Sequence, residues 1–186
     1  MEHISDKKKA IFASALELIR DNGFHGTPIS SVVKNAGVAA GTVYHYFESK
    51  DELICELYVY NRSRMIEIIN SALTEELSYK EKFFDIYIRL YKFYIQNTNV
   101  LVFFEQFVNS PYISNKKYTQ PQGQLPSFFK DGIDKGYLKS IKPEILKVLT
   151  LGSIATTAKL NKCGNNPLAD DELKQIVGII WDGIKK

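Results

Sequence analysis

A face of hydroxyl and aromatic side chains within residues 39–47 is the part of this sequence best suited to binding chemistry. In a helix, Val43 and Phe47 lie one turn apart and point inward. The remaining surface then carries polar or aromatic side chains, namely Thr42, Tyr44, His45 and Tyr46. Such groups can bind base edges, thymine methyls and phosphates, and small residues before them allow a helix to approach a major groove closely. The pattern predicts a helix that reads DNA.

The residues around this face predict a helix-turn-helix. Thr27 suits an N-cap and Pro28 a first helical position, so a short helix is expected to begin here and to end at Gly37. Val38 can fill the corner before the next helix, whose first backbone amides are open to an anion such as a phosphate. Lys50 follows as a cation that can hold a phosphate. The competing interpretation is that the aromatic face packs inside a small helical bundle.

The same residues resemble the signature of the TetR (tetracycline repressor) family. The resemblance is carried by residues 36–47 and 49–53, and by a first-helix pattern consisting of Ile11, Ala15, Leu16, Leu18, Gly23 and Phe24. It implies that DNA is contacted by Thr27, Ala39, Ala40, Gly41, Thr42, Tyr44, His45, Tyr46 and Lys50. Many members carry a basic or hydroxyl residue where this chain has Ala39 and Ala40. Those two positions therefore offer only apolar contact, and the identity of the bases that are read is left open.

Overall charge does not indicate a nucleic-acid partner. The chain of 186 residues has a net charge of +3, yet the segment up to Tyr60 holds six basic and eight acidic residues and is therefore at −2. DNA binding is indicated instead by the local placement of polar, aromatic and basic side chains. Cys55 and Cys163 are far apart and have no histidine at ligand spacing, so we expect neither a zinc site nor a disulfide, and no cofactor. Two unpaired cysteines are what we expect of a protein in the reducing cytoplasm.

Helical periodicity extends along the whole chain, which predicts an all-α fold. Ser5 can cap a first helix that ends at Asn22-Gly23, and Ser49 with Glu52 can form a capping box for a fourth helix. Further helices are expected over 83–96, 100–108, 126–135, 143–160 and from 170 to the end. We predict a helix-turn-helix DNA-binding domain at 1–50, a linking fourth helix at about 50–70, and an effector-binding and dimerisation domain at 51–186.

Aromatic residues between positions 87 and 128 suggest a pocket for a hydrophobic or aromatic effector. The candidate ligand-binding residues are Tyr87, Tyr91, Tyr94, Phe103, Phe104, Glu105, Phe107 and Phe128. Glu105 is a possible polar anchor that favours a cationic ligand. A solid aromatic core explains the same composition, because no sequence pattern distinguishes a filled cavity from an empty one.

Two apolar stripes near the end of the chain predict a homodimer interface. They consist of Ile145, Leu149, Gly152 and Thr156 on one helix, and of Leu173, Ile176, Val177, Ile180, Trp181 and Ile184 on the next. Pairing these two helices with their symmetry mates would form a four-helix interface, which the family resemblance also implies. Packing within one chain is the alternative.

Catalytic chemistry is not indicated by any motif. His3, His25 and His45 lack acidic or cysteine partners at triad or metal spacing, and no phosphate loop or nucleotide fingerprint is present. The longest apolar run, Val100–Phe104, is too short to cross a membrane. We expect a ligand-responsive repressor of transcription that binds an operator in double-stranded DNA as a homodimer and is released by a hydrophobic or aromatic small molecule. The alternatives are a helical enzyme acting on a small molecule and an interaction module without a ligand.

Overall fold

The computed structural model describes residues 4–115, 121–163 and 168–186, and within these ranges the chain is helical. The nine α-helices there are α1 (Asp6–Asn22), α2 (Ile29–Ala36), α3 (Ala40–Tyr46), α4 (Lys50–Thr74), α5 (Tyr79–Gln96), α6 (Thr98–Val108), α7 (Leu125–Asp134), α8 (Pro143–Cys163) and α9 (Asp170–Ile184). A 3-10 turn at Pro111–Ser114 follows α6. The all-α prediction is confirmed. No helix in the described ranges is both long and apolar enough to span a membrane.

The helix ends follow local side-chain chemistry. Ser5 caps α1, because its hydroxyl accepts a hydrogen bond from the Lys8 amide at 3.3 Å. Gly23 and Gly37 end α1 and α2 with φ values of 68° and 64°, a backbone region that glycine enters without steric cost. These three predicted boundaries are confirmed.

The predicted start of α2 is wrong by one residue. Pro28 is the N-cap, and α2 begins at Ile29. Thr27 does not cap the helix, because its hydroxyl donates instead to the Gly23 carbonyl at 2.8 Å. This hydrogen bond closes the loop between α1 and α2, so the threonine acts on the preceding loop and not on the following helix.

Several helices extend beyond their predicted bounds, most clearly α5 and α8. α5 begins at Tyr79, where Ser78 and Glu81 form a reciprocal capping box that the sequence analysis overlooked. α8 continues to Cys163, three residues beyond the expected end. Helix ends are ordinarily uncertain by one or two residues, so differences of four and three residues are true extensions of these helices.

The chain divides into two compact units that are not simple consecutive halves. The first comprises the described residues of Met1–Arg62 and Thr98–Gln120, and the second those of Ser63–Asn97 and Pro121–Lys186. Helix α6 therefore belongs to the same unit as α1, α2 and α3, although α5 precedes it in sequence. As functional domains, 1–50 and 51–186 remain a prediction.

The first unit has an aromatic core to which α6 contributes directly. The rings of Tyr58 and Phe107 stack with centroids 4.1 Å apart, and Phe24 meets Phe103 edge to face at 5.8 Å. Gln106 also donates from its amide to the Ile19 carbonyl at 3.1 Å. Helix α6 is thus part of the support on which the short helices α2 and α3 rest.

The second unit contains a sandwich of aromatic rings around Tyr79. This ring stacks on Phe128 at 4.3 Å and on Tyr137 at 4.9 Å, and its hydroxyl donates to the Phe128 carbonyl at 3.0 Å. Burial of the hydroxyl raises the pKa of Tyr79. Gly132 of α7 leaves the space that this hydroxyl fills, since a β-carbon there would collide with the Tyr79 ring and hydroxyl.

We expect Gly132→Ala to lower the free energy of unfolding by about 2 kcal/mol, because a ring held on both faces cannot move away from the added methyl group. Helix propensity alone would favour alanine by about 1 kcal/mol. Gly178→Ala in α9 is the matched control, since nothing lies within 4 Å of its missing β-carbon. Urea denaturation of both variants measures the difference. A Gly132→Ala protein as stable as the control would contradict the packing argument.

Candidate DNA-binding surface and effector region

Helix α3 presents an exposed face over two buried anchors. Val43 and Phe47 are almost completely buried in the core of the first unit, as the sequence predicted. On the opposite side Tyr44 is 59% exposed and His45 is also exposed. An exposed ring beside an exposed imidazole, on a helix whose other face is buried, leaves both side chains available to contact another molecule.

The beginning of α3 is small and open. Ala39 is the N-cap, and the exposed residues Ala40 and Gly41 form the first turn. Nothing lies within 4 Å of the position that a β-carbon of Gly41 would occupy. This end of the helix can therefore come close to another molecule without displacing protein atoms.

Three of the predicted DNA-binding residues are less exposed than helical periodicity suggests. Thr27 is buried, and Thr42 and Tyr46 are partly buried. The Tyr46 hydroxyl forms a 2.6 Å hydrogen bond with the Ser5 hydroxyl, which turns the ring toward α1. The structure thus brings together an outward group around Tyr44 and His45, with Tyr46 turned toward the protein.

Lys50 lies in the first turn of α4, close to the end of α3 in sequence. The Ser49 hydroxyl accepts from the Glu52 amide at 3.1 Å, which confirms half of the predicted capping box. The Glu52 carboxylate reaches one residue further than predicted and accepts from the Glu48 amide at 2.6 Å. These two bonds fix the loop between α3 and α4, and with it the place from which the Lys50 side chain extends.

Tyr112 ties the 3-10 turn to this same end of α4. Its hydroxyl donates to the Asp51 carboxylate at 2.8 Å, and its ring meets Phe24 edge to face at 5.4 Å. Burial, followed by the hydrogen bond to Asp51, raises the pKa of Tyr112 to about 12. The phenol is protonated at neutral pH and donates its hydrogen bond to Asp51, the residue next to Lys50.

The predicted effector residues fall into two groups in different units. Phe103, Phe104, Glu105 and Phe107 belong to the first unit, and the remaining four belong to the second, as Tyr87, Tyr91, Tyr94 and Phe128. In the first group Phe103 and Phe107 are core residues. The ring of Phe103 meets Phe24 and that of Phe107 stacks on Tyr58 in this core, which gives both a structural role, and ligand binding by them stays a prediction.

The predicted effector residues of the second unit are buried and mostly have partners. Tyr87 shares a 3.1 Å hydrogen bond with Thr157, and Tyr94 donates to the sulfur of Met65 at 3.4 Å. Burial, together with the nearby charge of Asp170, raises the pKa of Tyr91. These contacts describe a largely filled aromatic core.

An open cavity of about 390 Å³ lies elsewhere on the second unit. Its lining comprises Arg64, Glu67, Ile68, Ser71 and Phe93. The Arg64 guanidinium lies 5.0 Å from the centre of the Phe93 ring, so a cation and an apolar wall occur together. This group is not apparent from the sequence, because only the packing of α4 beside α5 brings its members together.

The predicted dimer residues divide between exposed and buried positions. On α8, Ile145, Leu149, Gly152 and Thr156 are all exposed. On α9, Ile176 and Ile180 are partly exposed, whereas the other four pack within the chain and are Leu173, Val177, Trp181 and Ile184. The buried four have little surface left for a second copy.

Val148 of α8 and Ile179 of α9 are exposed apolar residues that the predicted dimer interface omitted. Val148 is 66% exposed and Ile179 is 71% exposed. Each lies three residues after a member of the predicted stripe, Ile145 or Ile176. Helical periodicity in the sequence could therefore have identified both residues.

Two family models match the chain in consecutive segments. Residues 11–57 match the bacterial regulatory proteins of the tetR family, and residues 78–185 match the tetracyclin repressor-like C-terminal domain. The chain belongs to the TetR family of transcriptional regulators. It is accordingly a DNA-binding regulator of transcription and not an enzyme.

Similar proteins include regulators with and without a named ligand. A TetR-family transcriptional regulator from Haemophilus influenzae has a TM-score of 0.85 and 23% identity, with 97% of each chain covered. The fatty acid metabolism regulator protein of Bacillus subtilis is 34% identical over 82 residues, which are 44% of this chain and 42% of that relative. FadR from B. subtilis, solved in complex with stearoyl-CoA, has a TM-score of 0.68 and 19% identity over 94% of this chain and 95% of its own. These structural likenesses concern the fold.

Within the described part of the chain, no group of three or more histidine, cysteine or acidic side chains is arranged to hold a metal ion.

We expect Lys50→Ala to weaken binding to operator and random DNA alike, because a lysine that contacts a phosphate carries no sequence information. The slope of log affinity against log salt should fall by about one. Fluorescence anisotropy titrations at several salt concentrations measure both quantities. Lys174→Ala, on the exposed side of α9, provides a control with the same loss of charge. An unchanged slope for Lys50→Ala would contradict a phosphate contact.

Proposed function

We propose that this TetR-family protein is a repressor in the cytoplasm, which binds a near-palindromic operator as a homodimer and leaves it when a small molecule binds. The observation that carries the proposal is α3, a short helix with open small residues at its start and Tyr44 and His45 exposed on its outer face. Two copies of this helix would enter successive major grooves, because a two-fold protein matches a two-fold site.

The residues of the surface have different roles in this proposal. Thr42 and Tyr44 discriminate between bases, and the small residues Ala39, Ala40 and Gly41 permit the close approach that such contacts need. His45 and Lys50 contact phosphates. Thr27 is buried, so it acts by holding the loop that precedes α2, and its hydroxyl remains on Gly23.

The dimer interface of this proposal is built from the exposed apolar residues of α8 and α9. Its members are Ile145, Val148, Leu149, Gly152, Thr156, Ile176, Ile179 and Ile180. Gly152 has nothing within 4 Å of a missing β-carbon, so another helix can come close at that point. An apolar patch of this kind, left in water on a single chain, favours association with a second copy.

Footprinting on the DNA that flanks the gene, combined with transcription in vitro from the same fragment, tests the proposal. The protein is expected to protect two half-sites and to lower transcription. The double substitution Leu149→Lys with Ile179→Lys should yield a monomer in sedimentation and abolish protection, because four buried charges at a two-fold interface are costly.

Val108→Lys is the control for this experiment, since Val108 is an exposed apolar residue of α6 in the first unit. It should leave the dimer intact. Protection of a single half-site by a protein that sediments as a monomer would refute the homodimer, and increased transcription would refute repression.

The proposed effector is a hydrophobic or aromatic small molecule that binds in the second unit. Support comes from the cavity beside Phe93, where the Arg64 guanidinium lies against the face of an aromatic ring. The stearoyl-CoA complex of FadR makes an acyl-CoA thioester a suitable first probe for this chain. Helix α4 contributes to both units, so it is the proposed route by which the ligand alters DNA binding.

An effector and the operator should each weaken binding of the other by the same factor, because coupling between two sites is reciprocal. Thermal-shift screening with stearoyl-CoA and with neutral aromatic compounds identifies a ligand. Calorimetric titration of that ligand, with and without the operator duplex, then measures the coupling. Equal ligand affinity in the two titrations would show that the ligand site does not control DNA binding.

A further inference from the structure

Lys8 of α1 lies where the ends of three helices meet within the first unit. Its ammonium group is 2.6 Å from the Glu56 carboxylate of α4. The same nitrogen lies 5.8 Å from the ring centres of Phe12 and Tyr46 and 5.2 Å from that of Phe47. One cation thus touches α1, α4 and the end of α3.

A hydrogen bond reinforces the same junction. The hydroxyls of Ser5 and Tyr46 are 2.6 Å apart, and the Ser5 oxygen also accepts from the Lys8 amide. Ser5 is the N-cap of α1, while Tyr46 is the last residue of α3. The start of one helix is therefore joined to the end of the other.

The charge of Lys8 is directed toward the protein. The Lys8 and Glu56 side chains are only 22% and 31% exposed, so their ion pair is partly shielded from water and is stronger than a pair at the open surface. The three rings add an attraction for the cation. With its carboxylate partner at hydrogen-bonding distance, Lys8 is poorly suited to neutralise a phosphate.

We propose that Ser5, Lys8, Tyr46 and Glu56 form a positioning cluster that fixes the direction of α3, and that Tyr46 and Lys8 govern operator specificity without touching DNA. The inference rests on the recognition surface proposed above. A helix of seven residues has too few internal hydrogen bonds to hold its own direction, so contacts at its end decide it.

A small rotation of α3 affects the two kinds of DNA contact unequally. Hydrogen bonds to base edges from short side chains such as Thr42 require accurate placement. Contacts to phosphates by long flexible lysines tolerate displacement. Loss of the positioning cluster should therefore reduce discrimination and spare non-specific binding.

The test begins with a duplex that the wild-type protein selects from a random-sequence pool. Failure to select any duplex refutes the proposed function and is distinct from the outcome for the cluster. Affinities for the selected and for random DNA are then measured over a range of salt concentrations for Tyr46→Phe, Lys8→Met and Glu56→Gln. Lys7→Met is the control, because Lys7 is an exposed neighbour on the same helix.

Each of the three cluster variants should bind the selected duplex about tenfold more weakly, with random-DNA affinity changed by less than about twofold. The salt slope should be unchanged, and Lys8→Arg, which retains the cation, should recover most of the specificity. The control should keep the wild-type ratio of specific to random affinity.

Two outcomes overturn the proposal. The first is a Lys8→Met protein whose affinity falls equally for both DNAs with a slope lower by about one, which identifies a phosphate contact. The second is a folded Tyr46→Phe protein with an unchanged specificity ratio. Tyr46→Phe removes a single oxygen atom, so it decides the matter even where circular dichroism shows that the other variants unfold.

Discussion

The proposed DNA-reading surface depends on the burial of Val43 and Phe47. A helix as short as α3 is not stable in isolation, and these two side chains hold it to the core of the first unit. That core also contains Phe103 and Phe107 of α6 and Tyr58 of α4. The direction of α3 is consequently a property of the whole first unit, and packing changes in α4 or α6 can reach it without any change in α3 itself.

Features set by local chemistry could be predicted from the sequence. Ser5 and Gly23 bound α1 because a hydroxyl cap and a positive φ act within a few residues of where they occur. Membership of α6 in the first unit could not be predicted in this way. It depends on contacts such as Phe24 with Phe103 and Ile19 with Gln106, which join residues far apart in the sequence.

The site prediction was likewise correct where local periodicity decides exposure and wrong where a distant residue decides it. Helical periodicity correctly placed Val43 inside and Tyr44 outside, because it reports which side of a helix is apolar. It placed Tyr46 outside as well, since the hydrogen bond that turns this ring comes from Ser5, 41 residues earlier. Composition likewise identified an aromatic region, but contacts such as that between Tyr87 and Thr157 determine whether a ring lines a space or fills one.

The ion pairs of the first unit bear on how the protein finds its operator in a cell. Lys8 is paired with Glu56 and Arg20 with Asp21, in a segment whose charge up to Tyr60 is already negative. Attraction to arbitrary DNA depends on cations that are available to release counterions. With few of them, we expect binding to random sequences to be weak, so that competing chromosomal DNA sequesters less of the protein than it would of a strongly basic regulator.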